Sequence, residues 1–291
     1  MEIYGLTLLV HLQSYLNMAN FINKICGTVT TGASKITHPA LSAINKINGV
    51  MDNRYSVDLD GTDDYIDIST SADNMNVNTG TISIWIDLDA TSSNEAFFSV
   101  STGTSANNKI QLDYLSSSAK WRIDYKGNTG GTATSKTAEF AQSNADAQNA
   151  GWTHFAATWD TGDADEIKLY VNGALQDTTG TLTHYNGTPD RVHLGKAAKG
   201  TTSYHDGHLD NFALWTSVLT AAEIVAIYNI RNPDLTAAFR DHDGNAYSSS
   251  GDLIQWLRML ENTGTSLADS AGDSNTGTLV NGTAWVGGHH G

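Results

Sequence analysis

From about residue 55 onward, apolar and polar residues alternate with a period of two, which is the spacing of β-strands. In residues 81–88, Ile82, Ile84, Ile86 and Leu88 share one face of such a strand. Further segments with this pattern predict strands at Ala96–Val100, Lys109–Tyr114, Lys120–Tyr125, Trp152–Trp159, Glu166–Val171, Ala174–Thr178, Arg191–Leu194 and His208–Trp215. These nine strands, joined by polar turns, predict an all-β sandwich of two antiparallel sheets.

Two segments have helical spacing instead. Thr220 and Glu223 have the spacing of a capping box, and apolar residues follow at helical intervals, so a short helix is predicted after the last strand of the domain. A second helix is predicted between Thr37 and Gly49, in an arm ahead of the sandwich. Residues 252–260 fit a helix or a strand. The predicted organisation is an N-terminal arm (1–50), a sandwich (51–231) and a C-terminal extension (232–291).

Six segments of the predicted sandwich resemble, in the same order, motifs of laminin-G-like domains, which belong to the concanavalin A-like lectins and glucanases. They are Asp58–Ile68 (DLDGTDDYIDI), Trp152–Asp160 (WTHFAATWD), Leu169–Gly173 (LYVNG), His193–Gly195 (HLG), Gly207–Trp215 (GHLDNFALW) and Leu219–Ile224 (LTAAEI). The resemblance implies that the sandwich is a jelly roll.

One further segment is similar to the first strand of such a domain but follows the domain. It is Gly277–Trp285, preceded by the sequence DSAG at residues 269–272. This strand could pair with the edge of its own sandwich or with a neighbouring subunit.

Composition narrows the classes of partner. The formal net charge is −15, and the chain shows no basic stripe, so nucleic-acid binding is not expected. The single cysteine, Cys26, excludes an internal disulfide and favours folding in a reducing cytoplasm. The first residues lack the basic region of a signal peptide, and the apolar run that they contain is too short to span a membrane. Met18 is an alternative start to Met1.

The distribution of glutamate argues against an enzyme. The family that the chain resembles includes glycoside hydrolases. These enzymes place two Glu and one Asp at alternate positions of one strand, so that all three side chains point into one cleft. Glutamate occurs here only at positions 2, 95, 139, 166, 223 and 261, and no such run exists. The segment Tyr204–His208 (YHDGH) could ligate a metal, but a polar loop is the favoured interpretation.

The resemblance also implies that loop carboxylates hold a structural calcium ion. The residues that match are Asp60, Asp63, Asp64 and Asp210. The alternative is that Asp60 and Gly61 form a tight turn while Asp64 accepts hydrogen bonds from backbone amides.

Sugar binding would require exposed aromatic rings beside polar loops. The candidates are Trp121, Tyr125, Tyr185 and Tyr204. Each of these aromatic residues could instead lie in the core or between subunits.

An arm before the domain and a displaced strand after it resemble the arrangement of bacteriophage structural proteins, such as capsid decorations, tail fibres and spikes. We therefore expect a non-catalytic structural or adhesion protein at a virion surface, assembled in the host cytoplasm. Its expected partners are copies of itself, other virion proteins and cell-surface glycans. The alternatives are an extracellular, calcium-dependent carbohydrate-binding lectin and, less favoured, a glycan-active enzyme.

Overall fold

The structure is a computed structural model that describes residues 55–103, 108–129, 131–162, 164–197, 203–230 and 233–288. The predicted arm, its helix and the alternative start at Met18 lie outside these residues. Residues 50–291 form one compact unit. In the described part of this unit, no helix has the length and the apolar character needed to cross a membrane.

The predicted two-sheet antiparallel sandwich is confirmed. The first sheet has eight strands in the order β10-β9-β8-β3-β12-β1-β18, and β15 also pairs with β12. The bounds are β1 Tyr55–Asp60, β3 Thr79–Leu88, β8 Thr153–Asp160, β9 Glu166–Val171, β10 Ala174–Gly180, β12 Asp206–Trp215, β15 Leu253–Leu257 and β18 Ala284–Gly287.

The second sheet also has eight strands, in the order β16-β17-β2-β11-β4-β5-β6-β7. The bounds are β2 Tyr65–Asp67, β4 Glu95–Ser101, β5 Lys109–Leu115, β6 Lys120–Thr129, β7 Thr132–Ala141, β11 Arg191–Leu194, β16 Ser266–Leu267 and β17 Gly277–Val280. A separate hairpin contains β13 Phe239–Arg240 and β14 Ala246–Tyr247. The described residues form two α-helices, α1 Asn144–Gln148 and α2 Ala221–Ile230, and 3-10 turns at Ser69–Ser71 and Ser249–Asp252.

The main hydrophobic core lies between the two sheets. Because side chains alternate across each strand, the inward positions are the apolar ones, and Ile82, Ile84, Ile86 and Leu88 are buried there as predicted. Each fully buried aliphatic side chain contributes about 1.5–3 kcal/mol to folding. The alternate positions point away from this core, and their surroundings differ between the two sheets.

A second, smaller core covers part of the outer face of the first sheet. There α2 packs Ile224 and Ile227 into a cluster with Trp215 and Trp256. The predicted capping box is present, because Glu223 Oε2 accepts a hydrogen bond from the backbone N–H of Thr220 at 2.9 Å, and the N–H of Glu223 donates to Thr220 Oγ1 at 3.2 Å.

The C-terminal segment contributes strands to both sheets. Residues 253–257, which the sequence left ambiguous, form β15 on β12. The displaced segment forms β17, which pairs with β2 in the second sheet, and β18, which pairs with β1 in the first. In this chain, therefore, the displaced strand pairs with its own sandwich. The turn between β17 and β18 is held by Asp64 Oδ1, which accepts a hydrogen bond from the Gly282 N–H at 2.6 Å.

We predict that Gly195→Ala destabilises the sandwich more than a glycine substitution without steric conflict. Gly195 has φ +77°, and an added Cβ would lie 2.2 Å from Cδ1 of the buried Leu59. The matched control is Gly244→Ala, where φ is +86° and nothing lies within 4 Å of the added atom. Both variants incur the cost of a positive φ. Denaturant unfolding should show an additional loss of about 1–3 kcal/mol for Gly195→Ala, because of overpacking. Equal losses would contradict the packing described here.

Candidate functional site

The outer face of the second sheet carries polar and charged side chains on neighbouring strands. One row of directly paired residues runs across β2, β11, β4, β5 and β6 and consists of Asp67, His193, Ser99, Gln111 and Asp124. We call the outward side chains of β2, β4, β5, β6, β7 and β11 the polar face. In the part of the chain that the structure describes, α2 lies on the other sheet.

An ion-pair network holds the centre of the polar face in place. Arg122 donates from Nε to Asp113 Oδ1 at 2.9 Å and from Nη2 to Asp113 Oδ2 at 2.6 Å. Gln111 Nε2 donates to the same Oδ2 at 2.6 Å. Burial raises the pKa of Asp113, and Arg122 opposes this shift. A two-pronged contact of this kind fixes the direction of the guanidinium as well as its position.

Asp124 lies on the other side of the same guanidinium. Its Oδ2 is 2.5 Å from Lys109 Nζ and 3.9 Å from Arg122 Nη2, and Ser135 donates to its Oδ1. Burial would raise the pKa of Asp124, but Lys109, Ser135 and Arg122 together lower it. The polar face therefore offers hydrogen-bond donors and acceptors whose positions are fixed by one another.

Aromatic and cationic side chains meet at one end of the polar face. Lys196 Nζ lies 4.1 Å from the ring centroid of Tyr65 and 5.3 Å from that of Tyr204. His193 meets the edge of Tyr65 at a centroid distance of 5.0 Å. Burial lowers the pKa of His193 to about 4, so the ring is neutral at neutral pH. Among the described residues, the buried Nδ1 of His193 has no hydrogen-bond partner.

Three of the four predicted sugar-binding aromatics are in the core. Trp121, Tyr125 and Tyr185 are at most 3% exposed, so they cannot present a ring to a ligand, and this part of the prediction is wrong. Trp121 and Tyr125 occupy inward positions because the outward residues of β6 are the charged ones, whereas Tyr185 enters the core from the segment between β10 and β11. Tyr204 lies at the surface beside Lys196. Tyr65 was not predicted as a site residue, because only the pairing of strands brings it beside Lys196.

Asp60, Asp63 and Asp64 come together as predicted for a cation site. Their carboxylate oxygens lie within 4.8 Å of one another. Asp60 Oδ1 also accepts a hydrogen bond from the Thr62 N–H at 2.8 Å, and burial raises the pKa of Asp64. The tight-turn interpretation therefore describes contacts that are present. Each carboxylate has further lone pairs, and the three together fit a hard, oxygen-seeking cation such as calcium.

Asp210 does not join this group. It is buried in β12 opposite Trp85, whereas Asp60 pairs with Asp206, four residues away along the same strand. At about 3.3 Å per residue, this separation is about 13 Å. Sequence order alone did not reveal that the strand carries Asp210 away from the loop.

A second acidic group lies on the outer face of the first sheet. His208 Nε2 is 3.7 Å from Asp58 Oδ1, and His208 Nδ1 is 3.7 Å from Asp87 Oδ2 and 3.8 Å from Asp89 Oδ1. The Asp87 carboxylate, with additional contributions from Asp89 and Asp58, raises the pKa of His208 against the opposing effect of burial.

The other histidine of the YHDGH segment has a different environment. His205 is buried, and its Nδ1 lies 2.8 Å from Oε2 of the buried Glu95. Burial raises the pKa of Glu95. The two histidines therefore have different environments, and His208 forms a group with Asp58 and Asp89 whose potential metal-ligand atoms lie within 4.8 Å of one another.

Comparison with known proteins identifies the family. Residues 60–225 match the concanavalin A-like lectin/glucanases superfamily, in its laminin G branch. Because the match covers more than half of the chain, the chain belongs to this superfamily. No curated protein sequence matches it.

Solved structures with similar folds include the native heptameric SAP-like pentraxin from Limulus polyphemus, with a TM-score of 0.52 and 13% identity over 82% of this chain and 97% of the pentraxin. A candidate carbohydrate binding protein from Bacteroides ovatus has the same score and identity, over 82% of this chain and 61% of that one. The CBM40 module of Ruminococcus gnavus IT-sialidase has a TM-score of 0.49 and 18% identity, over 60% of this chain and 96% of the module. The similarities to the pentraxin and to the Bacteroides ovatus protein establish the fold alone.

We predict that His208→Gln reduces the pH dependence of stability above about pH 6.5. The folded state raises the pKa of His208, so its stabilising contribution is fully present below the ordinary histidine pKa of about 6.5 and is lost as pH rises through the folded value. Denaturant unfolding at pH 6 and pH 8 should show a smaller loss of stability for the variant than for the wild type. His242→Gln, an exposed histidine beside Asp243, is the control. An unchanged difference between the two pH values in His208→Gln would exclude this role.

Proposed function

We propose that this chain is a non-catalytic carbohydrate-binding module whose ligand lies on the polar face. The observation that carries the proposal is the fixed network of Arg122, Asp113, Gln111 and Asp124 in the middle of that face. Sugar hydroxyls both donate and accept hydrogen bonds, and they are recognised by a few polar groups held in place together with aromatic rings. Tyr65 and Tyr204 supply such rings at one end.

The relatives support this class of function. The superfamily contains lectins and glucanases, and the Bacteroides ovatus protein is described as carbohydrate binding. The carboxylates of the polar face favour binding over hydrolysis. Asp113 and Asp124 both contact cationic groups, whereas a glycosidase needs one protonated acid and one free carboxylate beside the scissile bond.

A conservative substitution tests the polar face. Arg122→Lys keeps the charge but removes the planar, two-pronged contact with Asp113. On a glycan array, the wild type should bind a defined set of glycans, and the variant should bind them at least about tenfold more weakly, because Arg122 no longer holds its donors in the position that the glycan meets. Arg240→Lys, on the β13–β14 hairpin, is the matched control and should bind like the wild type. Circular dichroism and thermal unfolding would verify that both variants fold.

Two results would contradict this proposal. One is the absence of glycan binding by the folded wild type. The other is glycan binding that Arg122→Lys leaves intact.

Calcium belongs to the proposal as a structural ion. Asp60, Asp63 and Asp64 would hold it, and it would link the loop after β1 to the β17–β18 turn, because Asp64 also binds the Gly282 N–H. The glycan measurements repeated with EDTA and with added calcium test this part separately. A lower melting temperature in EDTA that calcium restores supports the site, whereas unchanged melting would exclude it and leave the polar face untouched.

We further propose that the module is displayed at a virion surface, assembled in the host cytoplasm as a homo-oligomer in contact with other virion proteins. The supporting features are the arm predicted from the sequence, the C-terminal segment that resembles the family's first strand, and the resemblance of this arrangement to phage structural proteins. Light scattering after size exclusion should show an oligomer, and the chain should sediment with intact particles. A monomer that stays in the supernatant would favour the alternative, an extracellular lectin.

A further inference from the structure

Cationic residues gather on the polar face although the whole chain is acidic. Five cations lie on the strands of this face and a sixth, Lys196, lies at its end, whereas the strands carry four outward acidic residues, Asp67, Asp113, Asp124 and Glu139. The cations are Lys109, Lys120, Arg122, Lys126, Arg191 and Lys196. The net charge of the whole chain is −15, so the balance of charge on this face is opposite in sign to that of the chain.

One row of this face is occupied by cations on three strands. Arg191 on β11 pairs with Ser101 on β4, Ser101 pairs with Lys109 on β5, and Lys109 pairs with Lys126 on β6. Like charges directly opposite each other destabilise a sheet. Asp124 compensates Lys109 at 2.5 Å, but among the described residues neither Arg191 nor Lys126 has an ion-pair partner.

The spacing of the row fits an extended ligand that crosses the strands. Arg191 and Lys126 are three strands apart, which corresponds to about 14 Å between their Cα atoms. In the neighbouring row, Gln111 on β5 lies between the two cations, and Asp124 lies beside Lys126 on β6. A ligand along this line would meet a cation, then hydroxyl-binding groups, then a second cation.

We infer that the polar face selects an acidic glycan, one that carries carboxylate or sulfate groups, and that Arg191 and Lys126 bind these groups. The inference rests on the proposed carbohydrate-binding function and adds the class of ligand. Sugar hydroxyls exchange hydrogen bonds with the partly exposed Gln111 and Arg122 while the acidic groups pair with the cations. A DNA backbone has no hydroxyls to offer these groups, and the nearby carboxylates repel it, so the face favours a glycan over DNA.

The aromatic end of the face agrees with this assignment. Burial lowers the pKa of His193, and the positive charges of Lys196 and Arg191 lower it further, so the ring stays neutral. His193 lies in the row next to Arg191, and its buried Nδ1 has no hydrogen-bond partner among the described residues. A positive potential at this end attracts an anionic group, and the effect should be screened by salt.

Matched oligosaccharides separate charge from shape. Oligogalacturonate and its fully methyl-esterified form share one backbone and differ only in carboxylate charge. Carrageenan oligosaccharides before and after desulfation likewise share one backbone and differ in sulfate charge. Titration calorimetry on the full chain at low and high salt should show at least about tenfold tighter binding of one acidic form than of its neutral counterpart. High salt should reduce this preference. The two pairs distinguish carboxylate from sulfate as the group that is recognised.

Variants with equal changes of charge locate the effect. The double variant Lys126→Gln with Arg191→Gln should lose the preference for the acidic form by about tenfold or more, but it should retain binding to the neutral form. Lys168→Gln with Arg240→Gln makes the same change of net charge, on β9 of the first sheet and on the hairpin, and should behave like the wild type. Both positions are at least partly exposed, so the substitutions should be tolerated.

Each contrary result has its own meaning. Equal binding of the acidic and neutral forms overturns the acidic-glycan inference but leaves the carbohydrate-binding proposal standing. Binding of no glycan on a broad array overturns both. Equal losses in the two double variants would assign the preference to overall charge and overturn the role of this row. Tighter binding of oligo-dT than of any glycan would make the face a nucleic-acid site instead.

Discussion

The packing of two sheets face to face is the constraint on which the other features of this protein depend. Because side chains alternate along a strand, burying Ile110, Leu112 and Ile123 inside obliges Gln111, Asp113 and Arg122 to point outward. A slip of one residue would exchange the two sets and bury charge, so the register is strongly determined. The polar face is thus a consequence of the same alternation that builds the core.

The two sheets use their outer faces differently. Part of the first sheet carries a second core under α2, and Glu223 connects that helix to the segment after it by accepting hydrogen bonds from the Ser248 N–H and from Ser249 Oγ. The second sheet carries the ion-pair network around Arg122. Burying such a network is costly unless every charge is paired, and a recognition surface has a physical reason to keep it.

Much of the architecture could be predicted from the chain alone. Local patterns, such as the alternation at 81–88 and the capping box at Thr220 and Glu223, depend on neighbours in sequence and were predicted correctly. The aromatic candidates were mostly wrong for a related reason. Trp121 and Tyr125 alternate with charged residues, but alternation does not reveal which face is the core until a second sheet covers it.

The sequence by itself determined the fold class, the superfamily and the closeness of Asp60, Asp63 and Asp64, because each of these follows from residues near one another in the chain. Only the tertiary structure decided that Asp210 lies apart from them and that Tyr65 and Tyr204 share Lys196. It also placed Arg191 in one row with Lys126. The physical reason is that strand order in a sheet joins distant segments, and pairing between strands is set by packing across the whole sandwich.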